Sequence, residues 1–140
     1  MRATAYHGDD PAPMIAALEE LIVRYERSGL LNDARYTEAQ IVSLRRRGGS
    51  ARAISNRLNA KGIDGDTIHD ALQTPGDALS ETEAAIAFAR RRRLGPFRAQ
   101  SRAEHRLKDL AAMGRGGFDY RTAALIVDAR DAESLDEFIP

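Results

Sequence analysis

Apolar residues recur every three or four positions along much of the chain, the spacing of helices that bury one face. Met14, Leu18, Leu21, Ile22 and Tyr25 share one such face, and Gly29 is placed to end that helix. Asn32 or Asp33 is expected to cap the next, whose inner face offers Thr37, Ile41 and Leu44 and which Gly48-Gly49 ends. Ser50 then caps a helix carrying Ile54 and Leu58 at i, i+4, closed by Gly62. Asp64 caps another, with Ile63 and Ile68 placed for a hydrophobic staple, Leu72 continuing the stripe and Pro75-Gly76 terminating it. Ser80 and Glu83 form a capping box ahead of Ala84–Ala89, a segment apolar on every side that predicts an enclosed central helix. Gly95-Pro96 breaks it. A long helix is expected through Leu107, Leu110 and Met113, ended by Gly114 to Gly117. Asp119 caps the last, with Ala123, Ile126 and Val127 inward. Residues 1–11 and 131–140 lack a sustained period and are expected to be mobile tails; the second is acidic and either competes for the basic surface or docks Leu135, Phe138 and Ile139 on the last helix.

The helices form a repeat. Thr37-Glu38-Ala39-Gln40-Ile41-Val42-Ser43-Leu44-Arg45-Arg46-Arg47 lies 45 residues before Thr82-Glu83-Ala84-Ala85-Ile86-Ala87-Phe88-Ala89-Arg90-Arg91-Arg92, and seven of the eleven positions are identical. Gly62-Ile63-Asp64 echoes Gly117-Phe118-Asp119. Repeats of this length are stacked supersecondary units that bury their faces against one another. The expected division is a tail (1–11), a remnant helix of an incomplete first repeat (12–29), three-helix repeats over 30–76 and 77–130, and an acidic tail (131–140). The second complete repeat is about ten residues longer, around Leu94 to Ser101.

Composition agrees. Alanine occurs 24 times and leucine 13 times, against three valines and no tryptophan, which favours helix over strand. The fold class is all-α, built of tandem helix-turn-helix-like units. With no cysteine there are no disulfides, zinc knuckles or thiol nucleophiles, a pattern that fits a reducing compartment. The longest uncharged apolar stretch is Ala84–Ala89, far below the roughly 20 residues that span a bilayer. A soluble, cytoplasmic protein without membrane association is expected.

Charge sharpens the picture. The formal net charge is zero, but residues 24–62 carry +6, 63–89 carry −6, 90–121 carry +7 and 128–140 carry −4. Nineteen of the 21 basic residues are arginine, the side chain suited to bidentate contact with phosphate or carboxylate. Arg45, Arg46 and Arg47 hold the same place in one repeat as Arg90, Arg91, Arg92 and Arg93 in the next. One or two cations would complement a helix C-terminus; three and four exceed that need. Arg52, Arg57 and Lys61 add charge to the following helix, and Arg98, Arg102 and Arg106 recur at i, i+4, i+8, which predicts a basic stripe. These thirteen side chains are the candidate contacts to a long polyanion or to an acidic protein surface.

Enzyme constellations are lacking. His7, His69 and His105 have no partner at metal-ligand spacing, and His105 with Asp109 reads as an exposed helix pair. Gly114-Arg115-Gly116-Gly117 is not a phosphate loop but a helix end and turn. No catalytic residue, metal or cofactor is expected.

The segment Ser28-Gly29-Leu30-Leu31-Asn32-Asp33-Ala34-Arg35-Tyr36, with Arg46-Arg47-Gly48 and Leu58-Asn59-Ala60-Lys61-Gly62-Ile63, resembles the central repeat of RecX regulatory proteins. Ala89-Arg90-Arg91-Arg92-Arg93-Leu94-Gly95-Pro96-Phe97-Arg98 and Gly117-Phe118-Asp119-Tyr120 are similar to that family's last repeat. The resemblance covers about residues 13–130. It implies an elongated, curved array of three-helix repeats that binds the RecA recombinase filament on single-stranded DNA. It also implies inhibition of strand exchange, ATP hydrolysis and co-protease activity. A monomer is expected, and because arginine-to-phosphate recognition is electrostatic and lacks base readout, its own contact with the single-stranded DNA backbone is expected to be weak and salt-dependent. Two helices of the family's first repeat have no counterpart here. The alternative reading is a stand-alone helix-turn-helix protein that enters a DNA major groove.

Overall fold

Caps and stops written in the sequence set most of the helix ends. The computed structural model describes residues 11–74 and 76–139, and for residues 22–33 the backbone path alone. Every regular element among the described residues is helical, and the chain forms two compact units, residues 1–35 and 36–140. Helix α1 (Ala12–Arg46) begins in the first, where Met14, Ile15 and Leu21 are exposed. The expected interruption at Gly29 and fresh cap at Asn32 or Asp33 do not occur, because α1 is continuous through them. One glycine costs about 1 kcal/mol against alanine in a helix, and good helix formers on both sides (Glu26, Arg27, Leu30, Leu31) offset it. The expected tail over 1–11 lies, except for Pro11, outside the described residues.

In the second unit, the last turns of α1 pack with α2 (Ala51–Ala60) and α3 (Gly65–Gln73) as a three-helix module. The Ser50 hydroxyl accepts from the Ala53 amide, and the Asp64 carboxylate accepts from Asp66 and Thr67, satisfying donors that helix N-termini leave open. Ile41, Ile54, Leu58, Ile63 and Ile68 form its core. Ile63 before the Asp64 cap and Ile68 after it are both buried, as a hydrophobic staple requires.

The second module is α4 (Glu81–Arg92), α5 (Arg106–Arg115) and α6 (Tyr120–Val127). Both bonds of the Ser80–Glu83 capping box are present, and Asp119 accepts from the Thr122 amide. Ala84, Ala85, Ile86 and Ala89 are buried with Leu94, Met113, Phe118, Ala123, Ile126 and Val127. The Phe88 and Phe118 rings meet edge to face at 5.4 Å.

The sequence repeat is a structural one. Gly48 and Arg93, which follow the matched arginine runs, both adopt left-handed backbone at φ 90° and 57°. The Gly49 amide donates to the Leu44 carbonyl at 2.7 Å, and Leu94 to Ala89 at 2.9 Å. Further on, Ile63 donates to Leu58 and Phe118 to Met113, each just before the aspartate cap of the next helix.

Two segments depart from expectation. Residues 95–105 are not the start of one long helix; they hold short 3-10 turns at Gly95–Phe97 and Ala103–His105, and Leu107 is 75% exposed. Pro96 lacks an amide donor, and the Gly95 amide is drawn to the buried Asp109 carboxylate at 2.8 Å, so the chain wraps instead of coiling on. Residues 131–139 are not a loose tail. Glu133–Phe138 forms a 3-10 segment, Ser134 donates twice to Asp131, and Leu135 is 1% exposed in the second core. Phe138 and Ile139 stay exposed, so Leu135 alone is the plug.

Leu135→Ala is therefore expected to cost about 2–5 kcal/mol by transfer and cavity terms. Urea unfolding checks it, and a variant as stable as wild type would show that the segment does not dock.

Candidate nucleic-acid interface

The candidate surface lies where the two three-helix modules meet. A side-chain carbon at Gly48 would come within 2.7 Å of the Phe88 amide nitrogen, so the end of α1 lies directly on α4. The Ser50 hydroxyl donates to the Gly116 carbonyl at 2.7 Å while capping α2, which ties the start of α2 to the α5–α6 turn. Arg45, only 7% exposed, pairs with Glu81 and also donates to the Gly49 carbonyl at 3.3 Å. The same Glu81 oxygen accepts from the Ala51 amide at 2.9 Å. Arg45 thus joins α1, α2 and α4 from within.

Its neighbours face outward. Arg46 and Arg47 from one module, with Ala87, Arg90 and Arg91 from the other, line a shallow groove of about 430 Å³. All four arginines are exposed, and none pairs with a carboxylate among the described residues. Arg91 donates to the Arg47 carbonyl at 3.1 Å, which fixes one wall against the other. The Arg90 guanidinium lies 5.3 Å from the Phe97 ring and Arg92 4.7 Å from Phe88, so cation–π contact orients both. Arg93 is exposed at the left-handed end of α4. On α2, Arg52 and Arg57 are exposed, and Lys61 donates to the Tyr36 hydroxyl at 3.1 Å. Guanidinium groups in this number, without anionic partners, favour phosphate or carboxylate oxygens.

The predicted stripe of Arg98, Arg102 and Arg106 does not form, because only Arg106 lies in α5 and each is engaged internally. Arg98 grips Asp109 with two bonds of 2.7 and 2.6 Å. Arg102 donates to the carbonyls of Val127 (2.8 Å), Ala129 and Arg130 (2.9 Å), the open acceptors past the end of α6. Arg106 makes a bidentate pair with Asp128 at 2.7 and 2.9 Å. Periodicity alone gave the stripe; Asp109 and Asp128, 11 and 22 residues from their partners, were invisible as its ligands. Arg115, set among the glycines of the α5–α6 turn, is exposed and was not among the candidate contacts.

Burial pushes the Asp109 carboxyl up, but the Arg98 hydrogen bonds, the Gly95 amide and the Arg98 charge outweigh it and hold the group below its ordinary range. Asp128 is likewise held low, chiefly by the Arg106 hydrogen bond. Among the described residues no cluster of His, Asp and Glu could hold a metal ion, and no helix is long and apolar enough to cross a membrane.

A depressed carboxylate stabilises the fold above its unfolded-state pKa of about 3.9, and that contribution is lost as pH falls through the lower folded value. Wild type should therefore lose stability below about pH 4 more steeply than Asp109→Asn, which has no carboxylate to protonate. Melting temperature against pH measures this, and parallel curves would refute it.

Residues 32–72 match the family model for the second three-helix domain of RecX. The chain is 37% identical over 133 residues to a protein named Regulatory protein RecX from Myxococcus xanthus (strain DK1622), covering 94% of this chain and 71% of that one. It is 32% identical over 139 residues to a Regulatory protein RecX from Agrobacterium fabrum (strain C58 / ATCC 33970), covering 97% and 73%. No solved structure matches.

Proposed function

The chain belongs to the RecX regulatory protein family, and on that premise we propose that it binds the RecA filament on single-stranded DNA and restrains its activity without chemistry of its own. The observation that carries the reading is the groove of Arg46, Arg47, Arg90 and Arg91, two arginines from each module with no carboxylate partners among the described residues. A shallow cationic trough of that kind follows a sugar–phosphate backbone and ignores base identity. The nearby aromatic rings support this: Phe88 and Phe97 are half-buried and already faced by Arg92 and Arg90, which leaves little ring surface for base stacking. A stand-alone duplex reader would need free polar side chains on the second helix of both modules; α2 offers Arg52 and Asn56, but the start of α5 does not match it. Arg106 at the start of α5 is bound to Asp128.

Binding to bare single-stranded DNA is accordingly weak and salt-driven, and the filament is the tighter partner. The test is titration into RecA filaments that are hydrolysing ATP on single-stranded DNA. Wild type should slow hydrolysis. Exchanging Arg46 and Arg90 for Glu should weaken inhibition at least tenfold while leaving stability within about 0.5 kcal/mol, as exposed positions allow. Arg106→Ala, which breaks an internal pair, should leave inhibition near wild type. If wild type leaves ATP hydrolysis unchanged, the reading fails.

A further inference from the structure

A second depression lies at the same junction of the two modules. Arg52 and Asn56 of α2 face Arg115 across the Gly114–Gly117 turn, around a space of about 360 Å³. Arg52, Asn56 and Arg115 are all exposed, and neither arginine meets a carboxylate among the described residues. This differs from a depression at the end of α6, where Arg102, Arg106 and Arg130 are spent on carbonyls and on Asp128 and Asp131.

The turn is built to hold this gap open. The amides of Gly116, Gly117 and Phe118 donate to Ala112, Gly114 and Met113, so the turn keeps its shape without a ligand. Ser50 fixes the Gly116 carbonyl, and a side chain at Gly117 would strike the Ser50 hydroxyl. Arg115 therefore stands beside α2 by construction.

We propose that Arg52, Asn56 and Arg115 form a second phosphate-binding site, which takes nucleic-acid backbone alongside the four-arginine groove. Two guanidinium groups and a primary amide present only donors, apart from one amide oxygen, and phosphodiester oxygens accept without specifying a base. An acidic protein surface would satisfy the same charges, but a tight turn and a shallow gap suit a strand better than a broad interface. The inference rests on the nucleic-acid reading of the groove and adds Arg115 as a contact residue. Both sites span the junction, so a strand bound at each touches both modules.

The experiment compares the full-length protein with two double variants, Arg52→Gln/Arg115→Gln and Arg46→Gln/Arg90→Gln. Fluorescence anisotropy with a labelled oligothymidylate is recorded across a salt series, with melting temperature as a control on folding. Each lost phosphate contact on a single strand should flatten the slope of log K against log salt by about 0.7, so Arg52→Gln/Arg115→Gln should flatten it by about 1.4. An unchanged slope for that variant, with a flattened one for Arg46→Gln/Arg90→Gln, overturns the second site and leaves the groove standing. Unchanged slopes in both overturn both. Weaker binding of Arg52→Gln/Arg115→Gln at constant slope also overturns the proposal, because it marks a structural effect and not a lost ionic contact.

Discussion

Phe88 is gripped by two glycine backbones, and the surface around it depends on that contact. Gly48 lies against the Phe88 backbone, and a side-chain carbon there would sit 2.7–2.9 Å from three of its atoms. Gly116 lies against the ring itself, at 2.7 Å by the same measure. A side chain at Gly48 would force the modules apart, since packed interiors do not yield by that much, whereas one at Gly116 would displace the Phe88 ring within the second module. The Gly48 contact brings the arginine run ending α1 beside the one ending α4, and the Ser50–Gly116 bond with the close approach of Gly117 to Ser50 brings the α5–α6 turn beside α2. Both cationic depressions are consequences of one tight junction.

Arginines divide according to which carboxylates the fold supplies. Asp109 is fully buried, and an unpaired carboxylate there would cost several kcal/mol, so Arg98 is committed to it. Arg45 is committed to Glu81, which also serves the Ala51 amide. The Arg106–Asp128 pair is a weaker commitment, because both side chains are more than two-fifths exposed and such pairs contribute about 0–1 kcal/mol. Arg46, Arg47, Arg52, Arg90, Arg91 and Arg115 have no carboxylate anchor among the described residues, and they line the junction. Net charge zero is thus misleading: Glu81, Asp109 and Asp128 pair with arginines that build the fold, and no acid lines the groove.

Local signals in the sequence were sufficient for most of the fold. Ser50, Asp64, Ser80 and Asp119 each cap the helix they were expected to cap, because capping involves only the next two or three residues. The repeat of eleven residues placed α4 as the counterpart of the end of α1. What failed was non-local or marginal. Gly29 looked like a stop, yet a lone glycine is a small penalty inside a long run of helix formers. Arg98, Arg102 and Arg106 looked like a stripe, yet a buried aspartate and open carbonyls elsewhere in the chain claimed two of them before any helix could align them. The end of the chain allowed two readings, a free anionic tail or a docked one, and of Leu135, Phe138 and Ile139 only Leu135 plugs the core. The groove was legible as two charge runs in equivalent places, but not that Arg45 turns inward while Arg46 and Arg47 stay out.

Gly48 and Arg93 show how one backbone solution serves two ends. Both close a helix after three matched arginines with left-handed backbone, a conformation that costs a non-glycine residue about 1–2 kcal/mol. At position 48 the neighbouring backbone of Phe88 leaves no room for any side chain, so glycine is dictated by space as well as by torsion. Position 93 is exposed and nothing presses on it, so an arginine can stand there at the expense of that strain alone. The strain sits at a repeat position that is exposed, and it adds a fourth cation to the run ending α4. Packing therefore decides the first helix end. At the second, packing makes no demand, and charge at the junction is what the arginine contributes in return for the torsional cost.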